Sequence, residues 1–214
     1  MFCGVDEAGK GAVLGPMVVA AVGHIEEEIP ITGVKDSKQL SPEKRDSLYV
    51  EILQGFATAT RIIPAAEIDR LRKSMTMNMI LARFHAEVIV ELSPDVAYVD
   101  ACDVIEERYG HAVSNFLGEE CRCRVVARHH ADESVVLVSA ASIVAKVVRD
   151  REIDALRGRY GDIGSGYPSD PLTIAYLAGE IERNGRPPDI ARRSWKTVHA
   201  LVERHEQRGI FDFS

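Results

Sequence analysis

The chain opens on two short apolar runs, residues 2–5 and 17–22, separated by Gly9, Gly11, Gly15 and Pro16. Runs of this kind broken by glycine and proline read as two strands joined by a Gly-rich connection, a hairpin-like start that commits the chain to a sheet whose faces need cover. The cover is legible downstream. Ser41 and Pro42 have the form of a helix N-terminus, and Leu48, Tyr49, Ile52 and Leu53 follow at helical spacing. Residues 57–63 read as a third strand. Two helices are expected before the fourth strand, and one can be located: Thr76 caps it, and Met77, Ile80, Leu81, Phe84 and Val88 form a stripe that reads as core. A strand at 96–99, a helix at 104–117, a strand at 121–127 and a long helix at 135–156 follow. The long helix carries the small-residue run Ser139-Ala140-Ala141-Ser142, which lets a neighbouring backbone come close and predicts packing across the sheet. Asp170-Pro171 opens a further helix that stops at Asn184-Gly185, and a last one is expected at 197–207. This order predicts a mixed α/β layer with helices appended at the C-terminus.

With 214 residues, 46% hydrophobic and 28% charged, the chain can bury one substantial core. No apolar run approaches the roughly 20 residues that span a bilayer, and the N-terminus lacks the basic and apolar segments of a secretion signal. An intracellular, cytoplasmic protein without membrane contact is expected. The four cysteines, Cys3, Cys102, Cys121 and Cys123, are too few and too irregularly spaced for a disulfide framework and read as reduced thiols. The net charge of −7 is unevenly spread: residues 1–120 carry 11 basic against 20 acidic side chains, and residues 121–214 carry 15 against 13. The C-terminal part is therefore the phosphate-facing candidate, with Arg186, Arg192, Arg193 and Lys196 its densest basic stretch, equally readable as a solvated loop.

Acids stand directly after apolar strands at three points: Asp6-Glu7, Asp100 and Asp132. Carboxylates crowded at one edge of a sheet need a cation to offset their repulsion, and hard oxygen ligands point to Mg²⁺ or Mn²⁺. Two such ions about 4 Å apart suit in-line phosphoryl chemistry, with Asp6 a natural bridging ligand. Asp is also common at strand ends on structural grounds, and spacing alone does not show that the four carboxylates converge. The Gly9-Lys10-Gly11 triplet that follows can bring backbone groups close to a ligand, or can simply be a tight turn; it is not a P-loop.

Several motifs stand in register: Gly4-Val5-Asp6-Glu7-Ala8-Gly9-Lys10-Gly11 with Gly15-Pro16, Lys35-Asp36-Ser37-Lys38-Gln39-Leu40, Tyr98-Val99-Asp100, His130-Ala131-Asp132, Ser139-Ala140-Ala141-Ser142-Ile143-Val144-Ala145-Lys146 and Gly164-Ser165-Gly166-Tyr167-Pro168-Ser169-Asp170. Together they closely resemble ribonuclease HII in its archaeal form. The resemblance implies a ribonuclease H-like fold, a mixed five-stranded sheet flanked by helices, with a catalytic domain over 1–160, a helical extension over 161–206 and a tail over 207–214. It implies endonucleolytic cleavage of RNA in RNA/DNA hybrids and 5′ of single ribonucleotides in duplex DNA, leaving 3′-hydroxyl and 5′-phosphate ends. Asp6, Glu7, Asp100 and Asp132 become the catalytic, metal-binding carboxylates, with Asp103 and Glu133 the neighbours most easily mistaken for them. Gly9, Lys10 and Gly11 become the triplet whose backbone reads the ribose 2′-hydroxyl, the group that separates RNA from DNA, and Tyr167 the residue that stacks at the RNA-to-DNA junction. The family usually has Arg at position 10 and Pro at position 12, where this chain has Lys10 and Ala12; Arg and Lys differ in hydrogen-bond geometry, so the implied role rests on the backbone. Lys38, Arg45, Lys146, Arg192 and Lys196 are expected phosphate contacts, each also readable as a surface charge or an internal ion pair. His129 and His130 read as surface or phosphate-side residues.

At the C-terminus Gln207, Ile210 and Phe213 have the spacing of a sliding-clamp (PCNA) interaction peptide, although apolar residues at a terminus can also dock on their own core. A monomer is expected. Ribonuclease HIII and a non-catalytic hybrid-binding or clamp-adaptor protein are the rivals; retention of four phosphate-repelling acids argues against a pure binder.

Overall fold

The computed structural model describes residues 1–27, 29, 33–34, 40–119 and 121–211, the last four through their backbone alone. Lys38, Phe213 and the side chain of Ile210 lie outside the described residues, as does most of the motif at 35–40. The elements run β1 (Phe2–Ala8), β2 (Met17–His24), α1 (Pro42–Gly55), β3 (Ala57–Ile63), α2 (Ala65–Leu71), α3 (Met77–Leu92), β4 (Val96–Asp100), α4 (Glu106–Leu117), β5 (Arg124–Arg128), α5 (Ala131–Ser134), α6 (Val136–Tyr160), α7 (Pro171–Asn184) and α8 (Lys196–Phe211). The strands form one sheet in the order β3-β2-β1-β4-β5. β1 pairs antiparallel with β2 and parallel with β4, and β4 pairs parallel with β5. The mixed five-stranded sheet with C-terminal helices is the expected architecture.

The capping residues read from the sequence do what their chemistry allows. Ser41 accepts a hydrogen bond from the Lys44 amide at 3.3 Å, Thr76 from Met79 at 3.3 Å and Asp170 from Leu172 at 3.0 Å, while Gly185 ends α7 in a left-handed conformation. The second helix expected between β3 and β4 is α2, whose N-cap is Pro64 with no side-chain bond, so no capping signal locates it. Several boundaries differ: β1 runs on to Ala8, which takes Asp6 and Glu7 into the strand rather than after it, and α6 runs on to Tyr160 past the expected 156. β5 starts at Arg124 rather than 121, α5 takes up residues expected as loop, and α8 continues to Phe211 past the expected start of a tail at 207.

Compactness divides the chain differently from the expected break near residue 160. The first unit comprises Met1–Ala8, Val18–Ile62 and Met75–Val148, and the second Gly9–Met17, Ile63–Ser74 and Arg149–Ser214. The first unit holds the sheet. Val18, Ala20 and Val22 of β2 and Tyr98 of β4 share an apolar cluster with Leu137, Val138, Ala140, Ala141 and Val144 of α6. Close approach is the condition of that packing: a Cβ on Gly4 would lie 2.2 Å from the Leu137 carbonyl carbon and the Val138 nitrogen, so strand and helix touch backbone to backbone.

The second unit has its own core of Val13, Leu14, Ile153, Ile163, Leu177, Ile190, Ala191 and Val198. The Gly-rich connection belongs to it because of backbone bonding: the Val13 and Leu14 amides donate to the Gly166 carbonyl at 2.8 and 3.1 Å, and Gly15 donates to Ile190 at 2.9 Å. Asp69 adds a further tie, accepting from the Arg193 amide at 2.7 Å and the Ser194 amide at 2.9 Å. Among the described residues no helix is long and apolar enough to cross a membrane.

Gly4→Ala is expected to destabilise the fold by about 3 kcal/mol, the upper end of overpacking costs, because neither colliding group is a side chain that can swing away. Urea unfolding midpoints of the two proteins measure the difference.

Candidate active site

Asp6 and Glu7 lie near the end of β1, paired with Ala20 and Val19 of β2, and Asp100 ends β4. The parallel register pairs Val5 with Val99, so Asp6 and Asp100 stand side by side one residue further on. Side chains alternate across a strand, so Asp6 and Glu7 leave β1 on opposite faces. On one face Asp6 meets α6: the Ser142 hydroxyl bonds its carboxylate, and the Lys146 ammonium donates to Ser142 Oγ at 2.7 Å. The Glu7 amide also donates to Asp6 Oδ1 at 2.7 Å. On the other face Glu7 meets α3, where Nε2 of the fully buried His85 lies 3.3 Å from Glu7 Oε2. His85 Nδ1 in turn lies 3.1 Å from the hydroxyl of the buried Tyr109.

Asp132 arrives by another route. After β5 the backbone turns at His130, which adopts a left-handed conformation (φ 52°), and Asp132 falls in the first turn of α5 rather than in a loop. The Ala131 amide donates to Asp100 Oδ1 at 2.8 Å, and Ser139 Oγ donates to the Asp132 carbonyl, so α5 is tied to both β4 and α6. His130, Asp132 and Glu133 can bring one ligand atom each within 4.8 Å of one another. Asp103, in contrast, is bound to Arg108, which holds its carboxyl down at about 2.

The electrostatics record the crowding. Burial pushes the Asp6 carboxyl well above the ordinary range, the Glu7 charge pushes it further and Asp100 adds to it, against the bonds from Ser142 and the Glu7 amide. Burial also raises Asp100, opposed by the Ala131 amide and helped by Glu7 and Asp132. Asp6 and Asp132 are only 7% and 6% exposed, which makes this an acid cluster sheltered from solvent screening. Asp6, Glu7, Asp100 and Asp132 lie close enough to feel one another's charge, while among the described residues the group whose ligand atoms come within 4.8 Å of one another is His130, Asp132 and Glu133; a donor set rich in carboxylate oxygen is one that hard divalent cations favour.

The Gly9-Lys10-Gly11 triplet forms a turn closed by the Ala12 amide on the Gly9 carbonyl at 3.2 Å, with Gly9 at φ 84°. A Cβ there would meet Arg149 Nε at 2.3 Å. Arg149 is buried, lies 4.4 Å from the Tyr167 ring centre and donates to the Ser165 carbonyl at 3.0 Å, so one guanidinium braces both the triplet and the tyrosine loop. Arg192, expected as a phosphate contact, is instead wholly buried. It donates to the Gly15 carbonyl at 3.2 Å and the Lys10 carbonyl at 3.0 Å and stacks on Trp195, which makes it an internal brace for the same turn. Lys196 is exposed at the start of α8, and Arg45 is half-buried on α1, donating to the Leu40 carbonyl at 3.2 Å. Arg149, Ser142 and His85 were missed in the sequence. Ser139, Ser142 and Lys146 do share a helical face, a signal that could have found Ser142; a lone histidine in the α3 stripe gives none.

The sequence profile of ribonuclease HII matches residues 3–198. The chain belongs to the ribonuclease HII family. A ribonuclease HII from Methanoregula boonei is 55% identical over all 214 residues, the full length of both chains. The ribonuclease HII of Archaeoglobus fulgidus, solved in a complex with PCNA, superposes with a TM-score of 0.85 at 45% identity, covering 92% of this chain and 95% of that one. A ribonuclease HIII solved with Mn²⁺, Bst-RNase HIII, superposes with a TM-score of 0.78 at 25% identity, covering 97% of this chain but 70% of its own. The protein is thus a metal-dependent endoribonuclease that cleaves RNA in RNA/DNA hybrids and at ribonucleotides embedded in DNA.

Without metal, the raised Asp6 carboxyl makes ionisation a cost to the folded state. That cost is absent below the unfolded aspartate pKa of about 3.9 and grows as pH rises above it. In EDTA, Asp6→Asn is therefore expected to match the wild type near pH 4 and to exceed its melting temperature at pH 7 by roughly 2–4 °C per kcal/mol relieved. Equal melting temperatures at pH 7 would show that the carboxylates do not strain the metal-free fold.

Proposed function

We propose that Asp6, Glu7, Asp100 and Asp132 hold two divalent ions, Mg²⁺ or Mn²⁺, and that this site cuts on the 5′ side of a ribonucleotide to leave 3′-hydroxyl and 5′-phosphate ends. The observation that carries the reading is the sheltered acid cluster at the ends of β1 and β4, where Asp6 is pushed up by burial, Glu7 and Asp100 together. Divalent ions bound there would acidify water and stabilise charge on the phosphate oxygens. The chain's own residues orient the ligands. Lys146 and Ser142 fix Asp6, the Ala131 amide fixes Asp100, and Ser139 fixes the turn that carries Asp132. Lys146, bonded to Ser142, is placed in this reading beside the phosphate as a counter-charge to the acids.

Selectivity for ribose is assigned to the Gly9–Gly11 turn and Tyr167. Gly11 is exposed and a Cβ there would meet nothing, so its backbone is open to a ligand. The Lys10 carbonyl is committed to Arg192, which supports a backbone role for the triplet. The Arg149 guanidinium lies over one face of the half-buried Tyr167 ring, and in this reading the other face takes the sugar. The exposed Lys196 and the half-buried Arg45 remain in the reading as contacts to the duplex phosphates.

The PCNA complex of the Archaeoglobus fulgidus relative supports a clamp tether through Gln207, Ile210 and Phe213. In this reading the protein acts as a cytoplasmic monomer on replicated DNA.

A DNA duplex with one embedded ribonucleotide, incubated with Mg²⁺ or Mn²⁺, tests the site: Asp6→Asn and Asp132→Asn are each expected to slow cutting by a factor on the order of 10²–10³. Undiminished cutting by both sinks the assignment. Tyr167→Ala is expected to retain cleavage of a continuous hybrid better than cleavage at the junction, read as the ratio of the two rates. Deleting residues 207–214 is expected to abolish PCNA capture in a pull-down while leaving cleavage of free oligonucleotides unchanged, and capture that survives the deletion rules the tether out.

A further inference from the structure

One polar chain in the first unit has no part in the roles assigned so far. His85 lies on the α3 stripe among Leu81, Ala82, Phe84, Ala86, Val88 and Ile89, all buried, and is itself 0% exposed. An imidazole in such surroundings costs free energy unless both ring nitrogens find partners. Here one faces the Glu7 carboxylate at 3.3 Å and the other the Tyr109 hydroxyl at 3.1 Å, with the Tyr109 ring edge-on to the imidazole at 5.7 Å. Neither His85 Nε2 nor Glu7 Oε2 has measurable access to solvent, and the two approach at ion-pair distance, 3.3 Å, without the alignment of a hydrogen bond. Water therefore does not hold this side of the carboxylate.

The chain has a direction. Tyr109 is 1% exposed, and its burial first, then Cys102, Glu7 and Asp100, keep the phenol protonated well beyond its usual range. With the Tyr109 hydroxyl as donor to Nδ1, the imidazole carries its ring proton on Nε2, facing Glu7. Two χ angles and a packed ring then fix the donor in place. A carboxylate on a flexible three-torsion side chain gains a defined orientation from such a partner, much as outer groups orient metal ligands generally.

We propose that His85, held by Tyr109, is the positioning residue that aims the Glu7 carboxylate and thereby sets the divalent-cation affinity of the site. The inference rests on Glu7 being a ligand, as read above. Asp6 is steadied from α6 through Ser142, and His85 supplies the matching support from α3 on the opposite face of β1.

Mn²⁺ titration of the metal-stripped full chain, followed by the EPR signal of free Mn²⁺, tests the proposal without turnover. His85→Phe is expected to raise the Mn²⁺ dissociation constant by about tenfold. His85→Gln, which restores an N–H donor, recovers part of that loss, and Tyr109→Phe gives a smaller shift in the same direction. At saturating Mn²⁺ the KM for substrate stays at the wild-type value, whereas a purely structural role would lower the melting temperature and leave the Mn²⁺ affinity alone. An affinity within about twofold of wild type in folded His85→Phe overturns the proposal; should that variant not fold, the same result in Tyr109→Phe does so. Glu7→Gln run alongside separates the two readings. Unaltered Mn²⁺ binding in Glu7→Gln removes Glu7 as a ligand, whereas weakened binding there with none in the His85 and Tyr109 variants removes only the role of His85.

Discussion

The backbone contact between Gly4 and the start of α6 governs how the acid site is assembled. A side chain at position 4 would occupy the space of Leu137 and Val138, and the helix would have to stand off from the sheet. At the observed separation Ser142, one turn further on, reaches Asp6, and Ser139 reaches the carbonyl of Asp132. Hydroxyls have little reach, so an added gap of even an ångström would leave both bonds unmade. The small residues of α6 thus serve packing and chemistry together: Ala140, Ala141 and Ala145 are buried in the cluster, while Ser139, Ser142 and Lys146 turn towards the acids.

The acid cluster is tolerable only because the surrounding fold is otherwise conventional. Burial raises Asp6 and Asp100 and their charges raise one another, which in a metal-free chain is stored repulsion. Against it stand the sheet, an extensive apolar cluster and three ties that hold the acids and the turn at Asp132 in place, from Ser142, the Ala131 amide and Ser139. A cation held among these carboxylates would offset that repulsion.

Much of the fold was legible because local chemistry and tertiary role agree. Ser41, Thr76 and Asp170 cap helices as their side chains predict, and the alternation of apolar runs locates the five strands. Where the two disagree the sequence is silent. α2 begins at a proline with no capping hydroxyl, and α5 is a single turn entered through a left-handed histidine, so neither has a periodic signature. Three of the four carboxylates could be read from strand ends, but the adjacency of Asp6 and Asp100 depends on the parallel register of β1 and β4, which no local pattern encodes. His85 sits at a stripe position that periodicity assigns to core, correctly as to burial and without regard to its partners.

Arginine was the most misleading residue type, for a physical reason. The net basic charge of residues 121–214 suggested phosphate contacts, Arg192 among them, yet Arg192 and Arg149, which carried no expectation, are buried, and the partners they have there are backbone carbonyls and aromatic faces. A guanidinium suits this use: it is planar, weakly hydrated for a cation and offers five donors, so carbonyl bonds and stacking can offset its desolvation. The carbonyls it holds, on Lys10, Gly15 and Ser165, belong to the glycine turn and the tyrosine loop. Gly9, Gly15, Gly164 and Gly166 all adopt positive φ, and such segments carry few side chains of their own to restrain them. Two buried cations stiffen a backbone that glycine made adaptable, so the turn and the loop keep a fixed arrangement without losing the close approach that glycine allows.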